Sequence, residues 1–216
     1  MNTQFFIDLL NDYIVYGVMA LDALWGLYCI LVVYMRIAQK RFRTNARQDE
    51  WLDALDQPLR RGEFAAAAEL CEGDRRAIPQ LAAIACAHSH LETEQVQELL
   101  VDRLQRDVLS DLEHRVSWIN NVIKTAPMLG LLGTVLGMMA AFGKLASQKN
   151  VNPADLAENI SFALITTAIG LGIAIPATVC VASINVRIRK LEEQVGSGLV
   201  RLLDSFAAGK HATRSK

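Results

Sequence analysis

Two stretches that contain almost no charge decide the fold: KTAPMLGLLGTVLGMMAAF at residues 124–142 and SFALITTAIGLGIAIPATV at residues 161–179. Each stretch carries small residues at helical spacing, with one threonine set among them. These residues are Gly130, Thr134, Gly137 and Ala141 in the first stretch and Ala163, Thr167, Gly170 and Ala174 in the second. Small side chains let helices approach closely inside a bilayer, where a hydroxyl group requires a partner or an ion. The two stretches therefore predict a membrane assembly with a polar line through its middle.

The composition indicates a chain that is divided between membrane and water. Of the 216 residues, 52% are hydrophobic and 21% are charged, with a mean hydropathy of +0.22 and a formal net charge of −1. The hydrophobic share is too high for an ordinary soluble domain, and the charged share is too high for a chain that lies wholly in lipid. The near-zero net charge, without a basic patch interleaved with aromatic residues, argues against a nucleic-acid partner.

Three segments are apolar over the length of about 20 residues that a spanning helix requires. They lie at residues 13–35, 125–146 and 155–186. The third segment is longer than a bilayer needs, so we expect it to tilt or to project into water. The sequence therefore predicts an all-α membrane protein with three transmembrane helices.

The distribution of basic residues predicts the orientation of these spans. Basic side chains follow the first and third spans, and they are Arg36, Lys40, Arg41, Arg43, Arg47, Arg187, Arg189 and Lys190. The N-terminal segment 1–12, which we expect to form a short amphipathic helix on the outer surface, contains only acidic charged side chains. The positive-inside rule then places the N-terminus outside and the C-terminus in the cytoplasm. Residues 147–154 become an outer loop, and residues 36–124 and 187–216 become cytoplasmic.

The cytoplasmic segment 36–124 is expected to form a small helical domain. The stretch RRGEFAAAAELCEG at residues 60–73 is typical of one amphipathic helix bounded by Gly62 and Gly73, and a second helix is predicted after Pro79. Apolar residues then recur at every fourth position, and they are Val96, Leu100, Leu104, Val108, Leu112 and Val116. This pattern predicts a helix that begins near Glu94 and runs directly into the second span.

Three residues inside the predicted spans break the apolar pattern. Pro127 and Pro176 each remove one backbone hydrogen bond, so we expect each to bend its helix. Asp22 is a charge within the first span, and such a charge is a candidate for function. Snorkelling toward the headgroups, or pairing with Lys144, is an alternative interpretation of Asp22.

The remaining reactive side chains do not indicate catalysis or metal binding. Two of the four cysteines, Cys29 and Cys180, lie in spans, and the others lie on the reducing cytoplasmic side, so no disulfide is expected. The string Cys86, His88 and His90 lacks a further ligand pair nearby, so we predict no metal site. No arrangement of a nucleophile with a base, or of paired carboxylates, stands out. We therefore predict that the chain is not an enzyme and holds no cofactor.

The segments PMLGLLGTVLGMMAAF at residues 127–142 and ITTAIGLGIAIPATV at residues 165–179 together resemble the MotA/TolQ/ExbB family of ion-driven motor subunits. The three spans, the outer N-terminus and the large cytoplasmic insert resemble its ExbB/TolQ branch most closely. The resemblance implies a homopentamer in the bacterial inner membrane around two copies of a single-span partner of the ExbD/TolR type. Proton flow through a membrane aspartate of that partner would drive outer-membrane transport or envelope work. A TonB-like or TolA-like protein and the membrane lipids are further expected partners.

The resemblance also implies an ion pathway. Thr134 and Thr167 match pore-lining threonines of the family, and we include the adjacent Thr166 in the predicted pathway. The small residues predicted to line it are Gly130, Gly137, Ala141, Ala163, Gly170 and Ala174. For the glycines, close helix packing is the alternative interpretation, and it is the one we prefer.

One position departs from the family pattern. Phe162 stands where ExbB and TolQ commonly have a glutamate, five residues before Thr167. This chain then supplies no ionisable side chain deep in either pore helix, and the partner's carboxylate becomes the main protonation site. The expected transported ion is H⁺. A sodium-driven stator-like unit and a passive scaffold ring without ion flux remain alternatives.

Overall fold

The computed structural model describes residues 3–147 and 153–214, and for residues 3–13, 147, 155, 213 and 214 it describes the backbone alone. In chain order the helices are α1 (Thr3–Lys40), α2 (Asn45–Arg60), α3 (Phe64–Glu69), α4 (Ala77–Ala87), α5 (Thr93–Leu104), α6 (Ser110–Ser147) and α7 (Pro153–Arg214). A π-helical turn, Gln105–Leu109, joins α5 to α6. The described part of the chain contains no strand, so the predicted all-α fold class is confirmed.

Three helical stretches of the described residues are long and apolar enough to cross a membrane. They are Ile14–Lys40, Thr93–Ala146 and Leu156–Ala212. Each covers all or nearly all of one of the three predicted spans, whose exact boundaries remain predictions. The N-terminal segment expected as a separate surface helix is continuous with α1 from Thr3 onward, and its side chains lie outside the described residues. Most of the predicted outer loop also lies outside them.

The chain forms two compact units. Residues 1–31 and 115–183 form the first, here called the membrane unit, and residues 32–114 and 184–216 form the second, here called the insert unit. Both units draw on α1, α6 and α7, because these helices are longer than a bilayer is thick.

The core of the insert unit includes one face of α2, a helix that the sequence pattern did not single out. Leu52, Leu55 and Leu59 on α2 are each at most 1% exposed. The ring of Phe206, on the C-terminal part of α7, is fully buried and lies 5.2 Å from the ring of Phe64. Arg201 on α7 also pairs with aspartates on α2, which are Asp49, Asp53 and Asp56. Apolar burial supplies most of this docking, because exposed ion pairs contribute little.

The single helix expected between Gly62 and Gly73 is present, but it is shorter than the sequence pattern indicated. The helix α2 already extends to Arg60, and α3 covers only Phe64–Glu69. Gly62 and Gly73 adopt φ values of 77° and 79°, in the left-handed region that glycine enters without a steric penalty. The two glycines therefore do bound the helical segment, but the chain leaves the helix before it reaches Gly73.

The long helix predicted to begin near Glu94 and to enter the second span is confirmed. It begins at Thr93 and is helical throughout Thr93–Ala146. Glu92 caps its start in a reciprocal arrangement with Gln95, which satisfies free N–H groups of the first turn. The π-helical turn lies within it, and most of the predicted apolar stripe is buried, with Leu104 as the exception.

Candidate functional site

A seam of small residues joins α6 to α7 in the membrane unit. A β-carbon added to Gly137 would lie 2.9 Å from the β-carbon of Ala163, and one added to Gly170 would lie 2.5 Å from the carbonyl oxygen of Ala126. Real β-carbons do not approach other heavy atoms so closely, so only glycine fits at these positions. The two helices therefore pack with their backbones almost in contact, as small residues allow inside a membrane.

The small residues that the sequence singled out all lie in buried positions in this structure. They are Gly130, Gly137, Ala141, Ala163, Gly170 and Ala174. Several of them face the opposite helix of the same chain, which is the packing role preferred from the sequence. Their predicted role as pore lining in an assembly remains a prediction.

Two threonines of α7 converge on one peptide unit of α6. The hydroxyl of Thr166, which is fully buried, donates to the carbonyl oxygens of Ala163 at 2.8 Å and of Gly130 at 3.3 Å. The hydroxyl of Thr167 is half-buried and donates to the same Gly130 carbonyl at 3.2 Å. In a membrane an unpaired carbonyl or hydroxyl is unfavourable, so these bonds fix the register of α6 against α7.

Thr134 lies one helical turn beyond Gly130 on α6. Its hydroxyl donates to the carbonyl of Leu131 at 2.6 Å, within its own helix, and its side chain is half-buried. In a regular α-helix the N–H of residue 134 pairs with the carbonyl of residue 130. Thr134, Thr166 and Thr167, here called the threonine cluster, therefore lie within about one helical turn of the peptide unit of Gly130. The structure brings the three predicted pathway residues into one region.

Phe162 belongs to helix packing. Its ring meets the ring of Tyr16 on α1 edge to face, with centroids 5.2 Å apart. Such a contact stabilises the α1–α7 interface beyond the area it buries. The side chain at this position, for which the resemblance implies a glutamate, is therefore apolar and directed toward α1 in this chain.

Asp22 contacts a threonine of α6. The hydroxyl of Thr125 lies 3.1 Å from each of the two carboxylate oxygens of Asp22 and donates to them. Lys144, which the sequence offered as a partner, donates to the side-chain carbonyl of Asn159 at 3.3 Å. Since Lys144 lies 19 residues along α6 from Thr125, about 28 Å at the helical rise, the expected pairing with Asp22 is wrong.

The predicted bends at Pro127 and Pro176 remain predictions. The helices α6 and α7 continue through both prolines. Pro127 also takes part in the seam, because its α-carbon lies 3.3 Å from a β-carbon added to Gly170.

The Cys86, His88 and His90 string does not share one helix face, because α4 ends at Ala87. The Nδ1 atom of His88 lies 2.9 Å from the carbonyl oxygen of Ile84. Burial raises the pKa of the Cys86 thiol to about 11 and that of the nearby Cys71 thiol to about 12. Both thiols therefore stay protonated at neutral pH.

Sequence reasoning missed Thr125 as the partner of Asp22 and Tyr16 as the partner of Phe162. Neither pairing has a local signal, since each joins residues more than a hundred positions apart in different helices. A polar or aromatic side chain on each of two predicted spans was visible, but the register between the spans was not.

The fold and the site define a polytopic α-helical membrane protein with a tight, hydroxyl-bearing helix pair. The model of the MotA/TolQ/ExbB proton channel family matches residues 75–196, more than half of the chain. The chain therefore belongs to this family, which consists of channel and transport-complex subunits and not of enzymes.

Curated relatives agree with this assignment. The chain is 36% identical over 103 residues to the Tol-Pal system protein TolQ of Haemophilus influenzae, covering 48% of this chain and 43% of the relative. It is 27% identical over 150 residues to a putative biopolymer transport protein ExbB homolog of Methanothermobacter thermautotrophicus, covering 69% and 53%. It is 36% identical over 85 residues to the biopolymer transport protein ExbB of Aquifex aeolicus, covering 39% and 55%. The matches span about half the length of these relatives, and they support the ExbB/TolQ branch.

Proposed function

We propose that the chain is an inner-membrane subunit of a motor or channel complex that is driven by the proton-motive force. In this proposal it forms a homopentamer around two copies of a single-span partner of the ExbD/TolR type. The N-terminus lies outside and the insert unit lies in the cytoplasm, in agreement with the distribution of basic residues. The complex delivers work to the outer membrane or the envelope.

The observation that carries the proposal is the threonine cluster around the Gly130 peptide unit. It places three hydroxyl groups on two helices at one region of the membrane unit. The family's glutamate position there holds Phe162, which packs on Tyr16. Hydroxyl groups relay ions without carrying charge themselves, and polar groups inside the membrane mark ion pathways. The protonatable carboxylate is therefore supplied by the partner.

The experiment uses the full chain co-expressed with its single-span partner and reconstituted into liposomes. Thr134→Val and Thr167→Val nearly preserve side-chain shape and remove the hydroxyl. We expect each to abolish most of the proton flux and of the envelope work while the complex still assembles. Thr178→Val is the matched control, because Thr178 also bonds within its own helix, to the Ala174 carbonyl at 2.8 Å.

Three outcomes separate the alternatives. Wild-type flux in both variants would contradict the assigned pathway. Flux that requires sodium and persists in the presence of a protonophore would show that sodium, and not the proton, is the driving ion. A complex that assembles and functions in the envelope without any ion flux would show that the ring is a passive scaffold and not a motor.

A further inference from the structure

A groove with a volume of about 530 Å³ lies between α1 and α6 on the surface of the membrane unit. Most of its wall is aliphatic, and it includes Leu21 and Leu24 of α1 and Leu129 of α6. Three other side chains of α1 interrupt this wall, and they are Asp22, Trp25 and Tyr28. Because they follow one another at intervals of three residues, they lie along one side of the helix. The groove therefore combines one carboxylate with two aromatic rings in an apolar setting.

The carboxylate of Asp22 retains accepting capacity toward the groove. Its hydrogen bonds come from the single hydroxyl of Thr125, which lies 3.1 Å from each carboxylate oxygen. An ionised carboxylate offers about four positions for hydrogen-bond donors. Within the described residues, no basic side chain forms an ion pair with Asp22. Its negative charge is therefore not compensated from within the chain.

The depth of Asp22 prevents the headgroups from supplying that compensation. Asp22 lies about 14 Å inside the nearer end of the predicted first span, as measured by the helical rise. Its neighbour Leu21 is 72% exposed and Leu24 is 66% exposed, as expected of a helix side that faces lipid. An aspartate side chain is too short to reach the interface from this position. A cation that pairs with Asp22 must therefore enter the apolar layer itself.

The two aromatic rings suit an organic cation. The ring centroids of Trp25 and Tyr28 lie 5.9 Å apart, and both rings are about half-exposed. Trp118 of α6 meets Trp25 edge to face, with centroids 6.1 Å apart, and this contact holds the Trp25 ring in place. The face of a tryptophan or tyrosine ring attracts a cation within about 6 Å of its centroid. Aromatic faces beside a carboxylate recognise a positive charge that carries apolar substituents.

We propose that this groove, here called the Asp22 groove, is a binding site for lipophilic organic cations of the quaternary ammonium or phosphonium class. The carboxylate of Asp22 pairs with the positive charge, and the rings of Trp25 and Tyr28 contact the substituents around it. The aliphatic wall replaces the lipid that such a cation leaves. Hydrated metal ions do not fit, because the apolar wall has no oxygen ligands to replace their water.

The test is equilibrium binding of radiolabelled tetraphenylphosphonium to the full chain in a nonionic detergent, alone and co-purified with its single-span partner. Tetraphenylborate is the matched probe, since it has nearly the same size and shape and the opposite charge. Asp22→Asn removes the charge and keeps an oxygen that accepts from Thr125. Glu158→Gln is the control, because it removes an exposed carboxylate of α7 that lies outside the groove.

We expect saturable binding of the cation, and binding of tetraphenylborate that is weaker by about tenfold or more. Asp22→Asn should weaken cation binding about tenfold, whereas Glu158→Gln should not change it. Tyr28→Leu should weaken it about threefold and Tyr28→Phe should retain it, because the ring face and not the hydroxyl makes the contact. Trp25→Leu should also weaken binding, and the Tyr28 pair decides the role of the rings if that variant does not fold.

Equal affinity for the two probe ions, or wild-type affinity in Asp22→Asn, would overturn the proposal. Binding that is lost in the presence of the single-span partner would show that another helix covers the groove, and it would overturn the proposal as well. These measurements do not involve ion flux. The Asp22 groove and the proposed function can therefore fail independently of each other.

Discussion

The hydroxyl of Thr167 on α7 donates a 3.2 Å hydrogen bond to the backbone carbonyl of Gly130 on α6. The adjacent Thr166 reaches the same carbonyl from inside the seam, at 3.3 Å. One threonine is half-buried at the edge of the helix pair and the other is fully buried within it. Two neighbouring residues with the same side chain therefore have different consequences when they are changed.

Replacement of Thr166 should affect stability more than replacement of Thr167. Thr166→Val nearly preserves side-chain shape and removes a buried hydroxyl that bonds to the carbonyls of Gly130 and Ala163. We expect a loss of about 1–3 kcal/mol from the lost hydrogen bonds, and a smaller loss for Thr167→Val, whose hydroxyl is only half-buried. Thermal unfolding of the purified complex in detergent measures both. Thr166→Ser keeps the hydroxyl and should remain close to wild type; equal unfolding temperatures for both valine variants would contradict this assignment.

Two glycines of α7 offer a matched pair for the seam. Gly170→Ala forces a β-carbon against the backbone of Ala126, whereas a β-carbon at Gly172 meets no atom within 4 Å. We expect Gly170→Ala to destabilise the helix pair by about 2 kcal/mol and Gly172→Ala to be neutral or slightly stabilising, since alanine favours the helix by up to about 1 kcal/mol. The same detergent unfolding assay distinguishes them. A chain in which both variants unfold alike would show that α6 and α7 are not in close contact.

The side chains of Asp22 and Thr125 should contribute to folding stability as one interacting pair. Asp22→Asn retains an oxygen that accepts from the Thr125 hydroxyl, so we expect near-normal stability and activity. Asp22→Ala and Thr125→Val should each destabilise the chain, and the double variant should be no worse than the more damaging single one, with a coupling of about 1 kcal/mol. Additive effects in this cycle would contradict the contact. Loss of ion flux in Asp22→Asn, with stability preserved, would instead assign Asp22 a functional proton.

The buried thiols of the insert unit should make the protein sensitive to alkali. Burial raises the pKa of Cys71 to about 12 and that of Cys86 to about 11, from an ordinary value of 9.0. Between pH 9 and 11 the unfolded chain releases these protons and the folded chain retains them, so folding stability falls as the pH rises through this window. Each thiol contributes about 1 kcal/mol per pH unit. The Cys71→Ala, Cys86→Ala double variant should lose this part of the slope in denaturant titrations at pH 8 to 10.5, and an unchanged slope would contradict the burial.

Helical periodicity and charge segregation were sufficient to predict the architecture, because they can be read locally along the chain. Apolar runs predicted three spans, and the four-residue apolar repeat predicted the helix that begins at Thr93. Local signals were weaker where a helix is short or polar. The helix α2 went unnoticed because its leucines acquire their core role only against α7, and the segment after Gly62 turned out of the helix earlier than its alanines suggested.

The contacts within the candidate site depended more on the register between helices than on any local sequence pattern. The small residues and Thr167 were recognisable in sequence, but their contacts followed from how α6 lies against α7. The partner of Asp22 was misjudged because an axial offset between α1 and α6 cannot be read from either helix alone.

The order of amino acids by itself determined that this chain is helical, that three of its segments suit a bilayer and that hydroxyl groups lie among small residues in two of them. These properties follow from side-chain size, polarity and spacing along one helix. Only the tertiary structure decided that two threonines meet at the Gly130 carbonyl, that Asp22 faces Thr125 and that Phe162 packs on Tyr16. Such pairings depend on the relative height and rotation of separate helices, which close packing of many weak contacts sets collectively.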